Sequence, residues 1–128
     1  MKNTLSIILL FLSLGVMAQP KSESIDFVIL TSKIEQIEPI LMAAKNADRD
    51  GDFQIVIYGS EVNQLSSPTM IKYLKQAEEY NVKLSVCQMS LDRLKIDPDS
   101  IPESITPVDN AFLYAFQLQK KGYKTLNI

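Results

Sequence analysis

The chain has 128 residues, 46% hydrophobic and 22% charged, with a formal charge of −2; this is the balance of one ordinary globular domain and leaves no basic field to hold nucleic acid. It contains no His, which excludes Ser-His-Asp and Cys-His catalysis, the H-E-x-x-H zinc site and any imidazole base. Its single Cys excludes an internal disulfide and any multi-cysteine metal site, so neither a metal nor an organic cofactor is expected.

Met1-Lys2-Asn3 is a short positive start, and Leu5 to Val16 is an apolar run broken only by Ser6, Ser13 and Gly15. Val16-Met17-Ala18 supplies small or aliphatic residues at the cleavage positions, so residues 1–18 are expected to be a secretory signal peptide cut after Ala18. A run of about a dozen apolar residues falls short of the ~20 that cross a bilayer, so no stable membrane insertion is expected after cleavage. No Cys lies near the cut to carry a lipid. The expected product is a periplasmic or secreted protein of residues 19–128. An exported chain with one unpaired thiol is unusual, because an oxidising compartment opens that thiol to pairing or oxidation.

The mature chain alternates strands and helices. Ile25 to Leu30 is a nearly continuous branched apolar run, expected as a strand covered on both faces and central in its sheet. Ser32-Lys33-Ile34-Glu35 has capping-box spacing, but Pro39 places the helix start near Glu38, with Ile40, Leu41, Ala44 and Ala47 as its buried stripe. Asp48 to Asp52 ends that helix in an acidic turn; its Gly comes too early for a calcium loop, and Gly59 stands where the bidentate Glu would be. Phe53 to Tyr58 is the second strand, closed by Gly59. Ser67 caps a second helix with Pro68 in its first position and Ile71, Leu74 and Ala77 on its inner face, ending near Tyr80-Asn81.

Val82 to Val86 is the third strand and delivers Cys87 at its carboxyl end. Gln88 to Leu94 is a short helix, and residues 97–102 form a turn-rich link. Ile105 to Val108 is a short fourth strand that Pro107 confines to an edge. Asp109 or Asn110 caps a last helix, Ala111 to Lys121, stopped by Gly122, and Tyr123 to Asn127 is the fifth strand. Phe112, Tyr114 and Phe116 in that helix are expected in the core and in a subunit contact. The sum is a three-layer α/β/α domain with a mostly parallel sheet of about five strands.

In an open parallel sheet, ligands bind outside the carboxyl ends of the strands. Cys87 falls there, with the free N–H groups of the following short helix beside it, and is the candidate catalytic residue. Tyr58, Gly59, Gln88 and Asn110 fall at the same edge and are the candidate substrate-binding residues; Gly59 permits close backbone approach. Cys87-Gln88-Met89-Ser90 has C-x-x-S form, a weak pattern that here follows the third strand rather than the first. The other reading of Cys87 is packing, since free Cys is among the most buried residue types.

The stretch Val82 to Leu91, then Ile96 to Val108, then Leu118-Gln119-Lys120-Lys121-Gly122-Tyr123 resembles the DsrE/DsrF-like sulfur-handling family, as does Ile55-Val56-Ile57-Tyr58-Gly59. The resemblance spans about Ile25 to Ile128. It implies a DsrE-like α/β/α fold, homo- or hetero-oligomers, a protein partner that donates or accepts sulfur, and a persulfide on the position matched by Cys87. Tyr58 stands where many relatives have His, and a signal peptide departs from the cytoplasmic setting of the best-understood members. Three readings follow: a sulfur carrier or transferase; a non-catalytic oligomeric module that binds a small molecule or protein, with Cys87 structural; and an exported redox sensor that pairs Cys87 between chains.

Overall fold

The computed structural model describes residues 24–47 and 50–128, together with Gly15. The signal peptide expected over 1–18 lies, apart from Gly15, outside the described residues, as do Asp48 and Arg49 of the acidic turn. Five strands appear in chain order: β1 (Phe27–Thr31), β2 (Phe53–Ile57), β3 (Lys83–Cys87), β4 (Ile105–Val108) and β5 (Lys124–Asn127). The helices are α1 (Ile37–Asn46), α2 (Pro68–Glu79), α3 (Gln88–Arg93) and α4 (Ala111–Lys120), with single 3₁₀ turns at Ile34–Gln36, Ser60–Gln64 and Pro98–Ser100. No described helix is long and apolar enough to cross a membrane.

The strands pair in the order β4-β3-β2-β1-β5, all parallel. β1 is therefore interior, as its apolar run requires, and β4, with Pro107, is an edge. Parallel crossovers are right-handed, so helices met while the chain steps in one direction share a face. From β1 to β4 the chain steps one way, and α1, α2 and α3 pack on one face with Ile29, Ile55, Ile57, Leu84 and Val86. After β4 it steps back across the whole sheet to β5, and α4 lies on the other face against Val28, Leu30 and Val56.

Local chemistry sets the helix ends. Ser67 Oγ accepts from Met70 N, with Pro68 in the first helical position. The capping-box residues before α1 do not cap: Glu61 Oε2 accepts from Ile34 N at 2.8 Å instead, and α1 follows the 3₁₀ turn. Three helices close with the same pair of reversed hydrogen bonds. Asn81, Lys95 and Gly122 take positive φ, and the next residues, Val82, Ile96 and Tyr123, donate back to Ala77, Leu91 and Leu118. Each closure folds an apolar residue back over the last turn and aims the chain at the next element.

Some side chains face differently from expectation. Ile71 is 48% exposed, because α2 buries Met70, Tyr73 and Ala77; Ala47 is exposed because it already stands outside α1. In α4 the core stripe is Ala111, Ala115 and Leu118, while Phe112 and Phe116 are exposed and Tyr114 is half-buried. The small alanines bring the helix axis close to the sheet, and the aromatics project from its flanks. Asn110 Oδ1 accepts from both Phe112 N and Leu113 N at the start of α4. We expect Asn110→Ala to lower stability by about 1 kcal/mol in urea denaturation; an unchanged midpoint would show that this cap does not hold α4 down.

Candidate functional site

β3 leads into α3 on one face, and its neighbour β4 leads into α4 on the other. The adjacent carboxyl ends of β3 and β4 thus send their connections to opposite faces, the arrangement that opens a crevice in parallel α/β sheets. The last register pair at this split is Cys87↔Val108. Cys87 is the residue before the first turn of α3, with extended backbone and no side-chain cap bond. Its side chain is 6% exposed and belongs to the cluster of Val28, Leu30, Val56, Ala111 and Ala115 beneath α4.

The four companion residues gather at the same edge, and their polar groups bond within the protein. Tyr58 follows Ile57, the partner of Val86; its hydroxyl donates to Asn127 Oδ1 at 2.9 Å, and its ring meets Phe112 edge-on at 5.2 Å. Gly59 N donates to Ser90 Oγ at 2.9 Å, Gln88 Nε2 donates to Asp92 Oδ1, and Asn110 Nδ2 donates to Met89 Sδ at 3.1 Å. Ser90, the last residue of the C-x-x-S pattern, is thus a tie between β2 and α3. Met89 stands on the rim, 58% exposed.

A polar cluster at the opposite, amino-terminal end of the strands was not foreseen. Asp52 accepts from the Tyr123 hydroxyl, Gln54 Nε2 and Lys83 Nζ, and Gln54 Oε1 accepts from the Tyr114 hydroxyl. The signal was Gln54, a polar residue inside an apolar strand; it is 5% exposed and so requires partners. Burial raises the Asp52 carboxyl, but hydrogen bonds from Tyr123, Gln54 and Lys83, with the Lys83 charge, outweigh it and hold it below its ordinary value. The hydrogen bond to Asp52, burial and the Asp52 charge push Tyr123 up to about 12. Among the described residues no group of His, Cys, Asp and Glu is placed to hold a metal.

The model of the DsrE/DsrF-like family matches residues 18–128. The chain belongs to that family. Its fold is shared with solved structures at low identity: a protein of unknown function, MTH1491, from Methanobacterium thermoautotrophicum (18% identical, TM-score 0.63, 80% of this chain and 100% of that one) and a conserved protein of unknown function, BT1422, from Bacteroides thetaiotaomicron (13%, 0.62, 80% and 95%). The ychN protein from E. coli is also similar (10%, 0.59, 81% and 100%). No curated protein matches the sequence. The five-stranded α/β domain is thus that of the DsrE-like structures, and the expectations of family and fold class hold.

Gly59 has φ +85 and ψ −162, a region open essentially to glycine alone, and a Cβ there would lie 3.3 Å from Ser32 Cβ. Gly59→Ala is expected to cost on the order of 1–3 kcal/mol in urea denaturation; an unchanged midpoint would show that the turn relaxes freely. Because the folded-state Tyr123 value lies above its ordinary 10.0, the stability it contributes is complete below pH 10 and is lost as pH rises towards about 12. Stability measured from pH 9 to 12 should therefore fall more steeply for the native chain than for Tyr123→Phe, and parallel curves would count against the Asp52 bond.

Proposed function

We propose that this exported DsrE/DsrF-like protein carries sulfane sulfur as a persulfide on Cys87. Family membership connects the chain to sulfur-relay function. The observation that carries the finer reading is the position of the lone thiol at the carboxyl ends of β3 and β4, where their two connections part to opposite faces. The Cys87 thiolate attacks the outer sulfur of a donor persulfide, R–S–SH; the new S–S bond forms as the donor's bond breaks, giving Cys87–S–SH and R–S⁻. An acceptor thiolate then takes the outer sulfur and regenerates the Cys87 thiolate. Neither step changes the net oxidation level, and neither needs a metal or a base.

At 6% exposure the sulfur is largely shielded, so transfer requires the corner of Met89, Asn110 and the α4 N-terminus to part. That shielding would protect a persulfide between transfers. The same burial favours the second reading, a binding module in which Cys87 only packs. Export is supported by the leader pattern and by a family match that begins at residue 18, beside the expected cut. Self-association is supported by Phe112, Leu113 and Phe116, three large apolar side chains exposed on one helix.

Intact mass spectrometry after brief polysulfide treatment tests the proposal. The expected result is one added sulfur on the native chain, removed by reductant and absent from Cys87→Ser. A native chain that stays unmodified while a free thiol in the same tube reacts would assign Cys87 to packing.

A further inference from the structure

The two edges of the sheet differ in how they meet other strands. β4 carries Pro107, which has no N–H to offer a further strand. β5, the other edge, has no proline, and Lys124, Leu126 and Asn127 are exposed. Lys124 N donates to Asp26 O at 2.8 Å and Ile128 N to Leu30 O at 2.9 Å, so the even-numbered residues turn their backbone groups to β1. Those of Thr125 and Asn127 therefore point away from the sheet, as a template for another strand.

Apolar side chains flank this template on both faces. Leu126 is 60% exposed on the α1 face, where its register partner Ile29 packs, and Ile128 follows two residues on. On the other face, Phe112 and Phe116 lie one turn apart on the flank of α4 nearer β5: Phe112 meets the ring of Tyr58, whose hydroxyl bonds Asn127. Tyr114, on the opposite flank, reaches Gln54 instead.

The pattern matches itself. In an antiparallel pairing centred on Leu126, Thr125 of each copy exchanges both backbone hydrogen bonds with Asn127 of the other, and the two Leu126 side chains meet on one face. Lys124, the charged residue of β5, then lies opposite Ile128 and not opposite a second lysine. By the same symmetry the phenylalanine flanks of the two α4 helices face each other across the paired strands. Phe112 and Phe116 offer on the order of 200 Å² per copy, and Leu126, Ile128 and the strand edge bring the pair near the ~1,000 Å² at which stable interfaces begin.

We propose that the chain forms a two-fold dimer through antiparallel pairing of β5 with β5 of a second copy, giving one continuous sheet of ten strands. Cys87 lies on β3, three strands in from this edge, so the two thiols stand roughly 30 Å apart and the dimer needs no disulfide. The interface is separate from the sulfur chemistry assigned to Cys87 and stands or falls without it.

Light scattering and sedimentation of the purified protein at about 1–100 μM are the test. A dimer is expected, and it should persist in Cys87→Ser. Thr125→Pro removes an outward N–H and no donor to β1, and Leu126→Lys sets two ammonium groups against each other on the two-fold axis; each should weaken the dimer at least about tenfold. Leu126 is exposed, so its variants keep the test valid should Thr125→Pro fail to fold. Facing residues of a non-hydrogen-bonded antiparallel pair stand close enough for a disulfide. Leu126→Cys in the Cys87→Ser background should therefore cross-link under mild oxidation, whereas Met42→Cys, at an exposed site on α1, should not. A monomer at about 100 μM overturns the proposal and leaves the edge to a segment of another chain. It is overturned equally by a dimer that Phe116→Lys disrupts and Leu126→Lys does not, which would put the contact on α4 alone, or by Leu126→Cys cross-linking no faster than Met42→Cys.

Discussion

The packing of one helix, α4, against one face of a five-stranded sheet is the constraint from which the rest of the molecule follows. Right-handed crossovers assign α1, α2 and α3 to the first face and leave the single return crossing to cover the second. Five strands at about 4.8 Å spacing make a face some 20 Å or more wide, whereas a helix with its side chains is about 10 Å across. One helix cannot close that face. It settles over Val28, Leu30 and Val56, where Ala111 and Ala115 let it approach, and β3 and β4 remain partly open.

That shortfall places the chemistry. At the carboxyl end of the strands, α3 and α4 part to opposite faces beside Cys87, which is buried in one cluster with Ala111. Towards the amino end, the same uncovered strands form a cavity that Ser85 lines. Ser85 and Cys87 are two residues apart on one face of β3, about 7 Å along the strand. Yet one side chain lines the cavity, while the other packs with Ala111 and Ala115 of α4. The exposed aromatics of α4 have the same origin: with alanines turned inwards, the large side chains at the flanks have no sheet to meet.

The sequence made much of this legible, and the exceptions share a cause. β1 and β2 could be read because strands buried on both faces are continuous apolar runs, and Cys87 could be placed because a strand end is a local feature. Gly122 and Ser67 declared their helix ends by local backbone chemistry. Strand order could not be read, because it depends on pairings such as Phe27↔Lys124 between distant residues, and so the split at Cys87↔Val108 was invisible too. Ile71, Phe112 and Phe116 are apolar yet exposed, because burial on a helix is decided by which flank meets its neighbours and not by hydrophobicity alone.

The polar cluster of Asp52, Gln54, Lys83, Tyr114 and Tyr123 belongs to the same geometry. Its members are separated by up to 71 residues in the chain and bridge β2, β3, α4 and the lead-in to β5. Tyr114 joins the middle of α4 to Gln54, and Tyr123 joins the segment just past the helix to Asp52. A lone helix held only by two alanines and a leucine would have little to fix its register along the sheet, since apolar contacts are not directional. Buried hydrogen bonds are directional, and leaving one unmade is costly. The cluster therefore sets where α4 lies, and the position of α4 sets how far Cys87 is covered and how wide the neighbouring cavity opens.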